Sequence, residues 1–280
     1  MKPFAQRFSA TAAQSHAITS LLALTMATTL AVFTPNLSAK EVPMRKPTVV
    51  LVHGAFAGSS SWNPVTTKLL AKGYPVIAVA NPLRGVKSDA AYLANTLESI
   101  KGSVILIGHS YGGNVISNVP AVNTNVKALI FVSGVAPDAG ESAATLVGKF
   151  PGGTLGATLA PPVALADGNK DMYILQDKYH AQFAADVSTA DAKLMATTQR
   201  PITDAALNEP GGAPAWKTIP SWFLYGSLDK NIPPAVHAFM AKRAGAKKTV
   251  EVTGASHVVM ISHPDALVRL VEDAAAETVN

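Results

Sequence analysis

Short apolar runs rich in β-branched residues alternate with segments of helical spacing along most of this chain. Runs of this kind are typical of strands buried on both faces, and the intervening stretches are long enough to be crossover helices. The predicted strands are 48–52, 75–79, 104–107, 128–132, 221–225 and 249–252, and the predicted helices are 62–71, 90–100, 114–119, 235–243 and 264–275. Because such crossovers are right-handed, the pattern predicts a doubly wound, mostly parallel α/β sheet.

The alternation stops in the middle of the chain. Residues 137–218 are rich in Gly, Ala, Pro and polar residues, contain no strong strand signal, and have room for two helices at 171–195. Open α/β sheets bind ligands at the carboxyl ends of their strands. We therefore expect one domain at 40–280, with a helical cap inserted at about 137–218 over that end of the sheet.

The first 39 residues have the pattern of a secretory signal peptide. Lys2 and Arg7 are followed by an apolar run at 18–33 and by small residues that end at Ala39. This order of charged, apolar and small-residue regions predicts cleavage after Ala39 and export to the periplasm or the medium. The apolar run is shorter than the roughly 20 residues needed to span a bilayer, so no stable membrane span is expected.

Composition excludes several classes of site. The chain has no cysteine, which excludes disulfides, thiolate metal ligands and cysteine nucleophiles. Loss of the signal peptide lowers the formal net charge of +5 by two, and the remainder has no basic run, so no nucleic-acid partner is expected. The sequence also lacks an H-E-x-x-H motif or a dense cluster of metal ligands. The oligomeric state is not indicated by the sequence.

The strongest chemical signal is a Gly-x-Ser-x-Gly motif at 108–112. An apolar strand runs directly into the motif and a helix follows it. Small residues at Gly108 and Gly112 allow a sharp strand-to-helix turn that presents the hydroxyl of Ser110 at the edge of the sheet. Ser110 is therefore the predicted nucleophile.

A serine nucleophile needs a base to accept its proton and an acid to orient that base. On this kind of fold the chain order is Ser, then Asp or Glu, then His. His257 follows the strand at 249–252 and is the predicted base, while His263 next to the last helix is the weaker alternative. His237 falls within a helical pattern, where we expect a half-exposed position.

Asp229 is the predicted acid. It lies in the loop after the strand at 221–225, between the nucleophile and the base in chain order. Asp138, which follows the strand at 128–132, remains the alternative acid. Placement at a strand's carboxyl end favours Asp229.

The oxyanion of an acyl-transfer reaction needs backbone N–H donors. One predicted donor is the amide of Tyr111, directly after the nucleophile. The second should come from the loop after the first strand, where Ala55 is preferred and Phe56 is the alternative. We expect His53 to hold this loop by hydrogen bonds rather than to transfer protons.

With these residues in place, the chain resembles the serine α/β-hydrolase superfamily over essentially all of 47–278. The resemblance rests on the His-Gly-Ala loop at 53–55, the motif at 108–113, the segment 225–229 and the residues 256–264. More closely, the chain is similar to bacterial hydrolases of the branch that contains plant methyl esterases and hydroxynitrile lyases. The resemblance implies ester hydrolysis through a serine acyl-enzyme, with Ser110, His257 and Asp229 as nucleophile, base and acid, and with no cofactor.

Other activities occur among such relatives, and two departures bear on them. Hydroxynitrile lyases of this branch carry a Thr where Gly54 stands and a Lys directly after the catalytic His, where this chain has Val258. Because no ammonium group is available there to stabilise cyanide, the sequence does not favour hydroxynitrile lyase activity. A perhydrolase activity would use the same three residues. A small-molecule receptor on the same fold is the alternative from another functional class.

The substrate expected from the sequence is a small to medium apolar ester. The larger side chains of the cap region are mainly apolar, so a pocket that they line would favour an apolar substrate; alternatively, they form the core of the cap. They include Tyr173, Leu175, Phe183 and Met195.

Overall fold

Apolar strands form the centre of the fold in this computed structural model, which describes residues 45–278. The strands are β1 (Thr48–Val52), β2 (Val76–Val79), β3 (Val104–His109), β4 (Val126–Val132), β5 (Val163–Ala164), β6 (Lys170–Met172), β7 (Ile202–Thr203), β8 (Ser221–Gly226) and β9 (Lys248–Val252). Six of them form one sheet in the order β2-β1-β3-β4-β8-β9, and every pairing in it is parallel. This confirms the predicted α/β class.

Helices cover both faces of this sheet, which explains why β3 and β8 are buried along their whole length. The α-helices are α1 (Asn63–Ala71), α2 (Val86–Glu98), α3 (Tyr111–Ser117), α4 (Ala143–Val147), α5 (Gln176–Phe183), α6 (Thr189–Thr198), α7 (Asp204–Asn208), α8 (Pro234–Arg243), α9 (Val259–Ser262) and α10 (Pro264–Thr278). Short 3-10 helices span Ser59–Trp62, Leu155–Thr158 and Ala215–Lys217.

Helix α2 begins earlier than its sequence pattern indicates. The predicted start was residue 90, but the helix begins at Val86. The carboxylate of Glu209 accepts the backbone N–H of Val86 and so caps the helix from a distant part of the chain. A capping group this far away in sequence has no local signal.

The segment 137–218 contains four helices, α4 to α7, and the two helices expected near 171–195 correspond to α5 and α6. It also contains a three-stranded antiparallel sheet of β5, β6 and β7, although no strong strand was predicted there. These strands are only two or three residues long, so they are too short to show an alternating pattern.

No helix among residues 45–278 is both long enough and apolar enough to cross a membrane. The predicted signal peptide at 1–39 lies outside the described residues.

Candidate active site

Ser110 occupies the sharp turn between β3 and α3. Its backbone has a φ of 54°, in the left-handed region that non-glycine residues rarely adopt. Two neighbouring glycines are required for the close backbone packing around this turn. A Cβ on Gly108 would lie 2.5 Å from the carbonyl oxygen of Gly112, and a Cβ on Gly112 would overlap the carbonyl oxygen of Val52. A strained residue held in this way at the end of a strand is typical of a functional position.

Asp229 and His257 meet at the same edge of the sheet. Asp229 follows β8, His257 follows β9, and Nδ1 of His257 lies 2.7 Å from Oδ2 of Asp229. Both side chains are fully buried. Because a carboxylate can only accept, Nδ1 carries the proton and Nε2 is the nitrogen that can accept one. Among the described residues, Nε2 has no hydrogen-bond partner.

The ring of His257 lies beside the residue that precedes Ser110. The ring centroids of His257 and His109 are 4.8 Å apart, and Nε2 of His109 lies 3.2 Å from the backbone carbonyl oxygen of His257. Phe183 packs against the same ring with a centroid distance of 5.0 Å. The loop after β9 is therefore held against the turn that carries Ser110.

The carboxylate of Asp229 is fixed on both of its oxygens. Oδ1 accepts the backbone N–H groups of Asn231 and Ile232 at 2.8 and 2.9 Å. Burial by itself would raise the pKa of this carboxyl, but His257 and His237 together hold its pKa well below the usual range. Asp229 is thus an anion that both orients and attracts the ring of His257.

His237 is a part of this site that the sequence interpretation missed. It is fully buried rather than half-exposed, and its Nε2 lies 3.2 Å from Oδ2 of Asp229, the oxygen that also faces His257. Its ring stacks on Tyr225 at 4.8 Å. Burial lowers the pKa of His237 against the opposing effect of Asp229, which favours a neutral ring that donates its Nε2–H.

The burial of His237 had a sequence signal, although its contact had none. Val236, Met240 and Ala241 have the spacing of a buried helix face, and His237 is one turn before Ala241 on that face. The contact with Asp229 depends on how α8 packs beside β8, which the sequence pattern does not specify.

The two alternative residues lie elsewhere. Asp138 contacts Nζ of Lys217 and the backbone N–H of Ala139, and this cation holds its pKa below the usual range. His263 is partly exposed, and its Nδ1 lies 2.9 Å from the hydroxyl of Ser262. Neither side chain hydrogen-bonds to a member of the Asp229–His257 pair.

The loop after β1 lies against the start of α3. A Cβ on Gly54 would be 3.0 Å from the backbone nitrogen of Tyr111. The amide of Phe56 donates to the carbonyl oxygen of Arg200 at 2.9 Å and is therefore occupied. Within the described residues the amides of Ala55 and Tyr111 have no acceptor, which favours Ala55 over Phe56 as the second oxyanion donor.

His53 holds this loop, as predicted. Its Nε2 accepts the backbone N–H of Asn81 at 3.1 Å, and the Asn81 side-chain amide donates to the His53 carbonyl oxygen at 2.9 Å. Burial lowers the pKa of His53 to about 4, so its ring is neutral at pH 7.

A cavity of about 540 Å³ opens in front of Ser110. Its wall is mainly apolar, and Phe150, Leu155 and Leu159 contribute large side chains from the segment 137–218. The larger cap side chains, for which the sequence left a pocket or a core position open, do not line this cavity; they are Tyr173, Leu175, Phe183 and Met195, of which Phe183 is fully buried. The complete wall is Ala55, Phe56, Ser110, Tyr111, Val135, Ala143, Ala144, Val147, Gly148, Phe150, Pro151, Gly152, Gly153, Leu155, Gly156, Leu159, Leu207, Asn231 and Ile232.

Gly54 is a position where even one methyl group should disturb the site. In Gly54→Ala the new Cβ would lie 2.6 Å from the Cβ of Ser110, so the loop or the turn must move. Because a displacement of about 1 Å costs on the order of a hundredfold in rate, we expect ester turnover to fall by about that factor. Gly212→Ala is the matched control, since Gly212 does not line the cavity and the nearest atom to its added Cβ lies 3.6 Å away, at ordinary contact distance. Equal turnover in both variants would contradict this prediction.

The buried histidines should make the protein less stable in acid. His53, His109 and His237 all have pKa values lowered by burial, so the unfolded chain takes up protons before the folded protein does. The neutral histidines stabilise the folded protein fully only above the pKa that they have in the unfolded chain, and this stability is lost as the pH falls below that pKa. For His53 the window runs from 6.5 to about 4, and its contribution to the loss is roughly 3 kcal/mol.

Urea unfolding between pH 7 and pH 4 measures this loss. His53→Gln should make the free energy of unfolding fall less steeply with acidification. The matched control His263→Gln, at a partly exposed position, should keep the wild-type slope. Identical slopes in the wild type and His53→Gln would refute the expectation.

Comparison with known proteins agrees with this fold. The model of the alpha/beta hydrolase family matches residues 49–270. "Alpha/beta hydrolase nvfD" from Aspergillus novofumigatus is 25% identical over 256 residues, which cover 84% of this chain and 99% of that protein. The alpha-hydroxynitrile lyase of Arabidopsis thaliana is 25% identical over 245 residues, which cover 80% of this chain and 95% of that protein.

The crystal structure of polyneuridine aldehyde esterase superposes with a TM-score of 0.69 and 20% identity, covering 82% of this chain and 99% of that chain. At this identity the likeness shows a shared fold. The family match over most of the chain shows that this protein belongs to the alpha/beta hydrolase family, and a hydroxynitrile lyase and a methylesterase of Arabidopsis thaliana are among its relatives.

Proposed function

We propose that this protein hydrolyses carboxylic esters through an acyl-enzyme on Ser110. The observation that carries the proposal is the Asp229–His257 pair. Its Nδ1···Oδ2 distance of 2.7 Å leaves Nε2 of His257 as the accepting nitrogen, next to the turn that holds Ser110. A base oriented by a buried carboxylate beside a strained serine is the arrangement that nucleophilic catalysis requires.

In the first half of the reaction, Nε2 of His257 takes the hydroxyl proton of Ser110 while Oγ attacks the ester carbonyl carbon. The amides of Ala55 and Tyr111 donate to the oxyanion that forms. The intermediate collapses, the bond between the carbonyl carbon and the alcohol oxygen breaks, and His257 returns the proton to the departing alcohol.

In the second half, His257 takes a proton from water as the water oxygen attacks the acyl carbon. The bond to Oγ breaks, the carboxylic acid leaves and Ser110 regains its proton. Asp229 keeps the proton of neutral His257 on Nδ1 and stabilises the imidazolium in both halves. His237 donates to the same carboxylate oxygen and helps to keep it in place.

The substrate that fits this site is neutral and mainly apolar. Of the described residues that line the cavity, none carries a charged side chain. A charged substrate would lose its hydration without gaining a partner, which costs several kcal/mol. This supports uncharged esters of small to medium size.

Two residues argue against cyanohydrin cleavage in this chain. Val258 is buried and apolar where the resembling lyases carry a lysine, so no ammonium is available to cyanide at this position. A side chain on Gly54 would collide with Ser110 and the backbone of His109, so the threonine of those lyases does not fit this loop.

We also propose that the chain is exported and cleaved after Ala39. Support comes from the order of charged, apolar and small residues at 1–39. N-terminal sequencing of the protein recovered from the periplasm or the medium tests it, and an intact N-terminus in a cytoplasmic fraction would refute it.

The esterase proposal is tested with p-nitrophenyl esters of graded acyl length. We expect release of p-nitrophenol, together with covalent labelling of Ser110 by a fluorophosphonate, located by mass spectrometry. The rate should rise with acyl length until the chain fills the cavity of about 540 Å³ and should then fall. Absence of both turnover and labelling would overturn the proposal.

A further inference from the structure

The apolar cavity in front of Ser110 has one polar side chain with no task in the proposed reaction. Of the described residues that line it, only Ser110, Tyr111 and Asn231 have polar side chains. Ser110 is the nucleophile, and the hydroxyl of Tyr111 donates to Oδ2 of Asp89 at 2.9 Å. Asn231 is therefore the side chain left to interact with whatever fills the cavity.

The orientation of the Asn231 amide follows from its neighbours. Nε2 of Gln182 donates to the backbone carbonyl oxygen of Lys230 at 3.1 Å, and a carbonyl can only accept, so this atom is a nitrogen. The same Nε2 lies 2.7 Å from the side chain of Asn231, which must therefore present its oxygen. The hydroxyl of Thr154, 2.8 Å from Oε1 of Gln182, fixes the other end of this amide.

This chain of hydrogen bonds leaves Nδ2 of Asn231 with two N–H groups and no acceptor within the described residues. The residue is 3% exposed, and the cavity is lined mainly by apolar groups. An N–H donor in an apolar wall is costly unless a ligand supplies an acceptor. The backbone N–H of Asn231 also donates to Oδ1 of Asp229 at 2.8 Å, so the residue adjoins the Asp229–His257 pair.

We propose that the Nδ2–H of Asn231 donates to an oxygen of the substrate, and that the substrates are neutral esters with a second acceptor oxygen, such as a ketone or an ether, in the group that fills the cavity. The inference rests on the proposed esterase function and names its substrate class. An apolar wall with one fixed donor favours a mainly hydrocarbon group that carries one such oxygen.

The test uses pairs of p-nitrophenyl esters that differ only in this oxygen. The 4-oxopentanoate, 5-oxohexanoate and 6-oxoheptanoate esters are compared with the 4-methylpentanoate, 5-methylhexanoate and 6-methylheptanoate esters, in which a methyl branch replaces the ketone oxygen. A parallel set of acetate esters places the same ketone or methyl branch in the alcohol. For each variant and each pair, the kcat/KM of the ketone ester is divided by the kcat/KM of its methyl partner, and the variants are compared by this ratio.

For at least one pair we expect the wild-type ratio to exceed that of Asn231→Leu by about tenfold, the usual worth of one hydrogen bond. Asn231→Asp keeps the shape and the acceptor for Gln182 but removes the donor, and it should lose the preference as well. Leu207→Met, an apolar change in the same wall, should keep the wild-type ratio. Ratios that are the same in the wild type and Asn231→Leu for every pair would overturn the inference.

Binding separates this inference from the function on which it rests. The Ser110→Ala protein should bind the favoured ketone ester about tenfold more tightly, relative to its methyl partner, than the double variant Ser110→Ala, Asn231→Leu does. If the wild type hydrolyses no ester but this difference in affinity is found, the esterase proposal fails and the role of Asn231 stands. If hydrolysis is found with no such difference in rate or affinity, Asn231 has no role in recognition.

Discussion

Replacement of Ser110 by alanine should reduce ester turnover by about a millionfold, the loss that follows removal of the nucleophile from a serine hydrolase site. The oxygen that forms the acyl bond is absent, and His257 has no hydroxyl proton to accept. Binding should change little, because the apolar wall of the cavity is intact. The measurement is kcat for the best p-nitrophenyl ester, together with the affinity for the same ester in the inactive variant.

Ser133→Ala is the matched control for this change. Like Ser110, Ser133 is a serine with a positive φ, here 40°, directly after a strand of the sheet. It is buried, and its hydroxyl has no partner among the described residues. This variant should retain turnover and fold with wild-type stability or better. Substantial turnover in Ser110→Ala, or an equal loss in both variants, would refute the assignment of the nucleophile.

Replacement of Asp229 by asparagine should lower kcat by about ten-thousandfold, because it reverses the tautomer of His257. The N–H groups of Asn231 and Ile232 both point at Oδ1 and will hold the amide oxygen there. The new NH₂ group then faces Nδ1 of His257, which must accept instead of donate. Its proton moves to Nε2, and the ring loses the site that takes the proton of Ser110.

Asp138→Asn is the control that separates the two candidate acids. Asp138 pairs with Lys217 near the surface and does not contact either histidine, so turnover should stay close to the wild type. Circular dichroism at pH 8 should show that Asp229→Asn is still folded, so that the loss of kcat does not come from unfolding. A loss of turnover in Asp138→Asn with an active Asp229→Asn would show that Asp138 is the acid.

Much of this site could be predicted because each candidate follows a strand. Ser110, Asp229 and His257 each lie in the turn or loop that follows a predicted strand, and in a parallel sheet the carboxyl ends of all strands lie at one edge. Position along the chain is therefore enough to place these three side chains on the same side of the molecule. The turn at Ser110 was also readable, since the glycines around it are required by local sterics.

Other features depend on contacts between segments that are far apart in sequence. The choice between Ala55 and Phe56 follows from a hydrogen bond to Arg200, and the start of α2 follows from the carboxylate of Glu209. For the same reason, the sequence left open whether the large cap side chains line a pocket or form the core of the cap. Side chains in an irregular segment are assigned to the core or to the cavity by packing rather than by periodicity.

The sequence by itself determined the parallel α/β sheet, the turn at Ser110 and the order of Ser110, Asp229 and His257, because strand pattern and glycine sterics act over a few residues. Only the tertiary structure decided that His237 donates to Asp229 and that Gln182 donates to the amide oxygen of Asn231, which leaves the amide nitrogen for another acceptor. A hydrogen bond between separate elements forms only if the distance between donor and acceptor is correct to within a few tenths of an ångström. Such distances are set by how helices pack on the sheet.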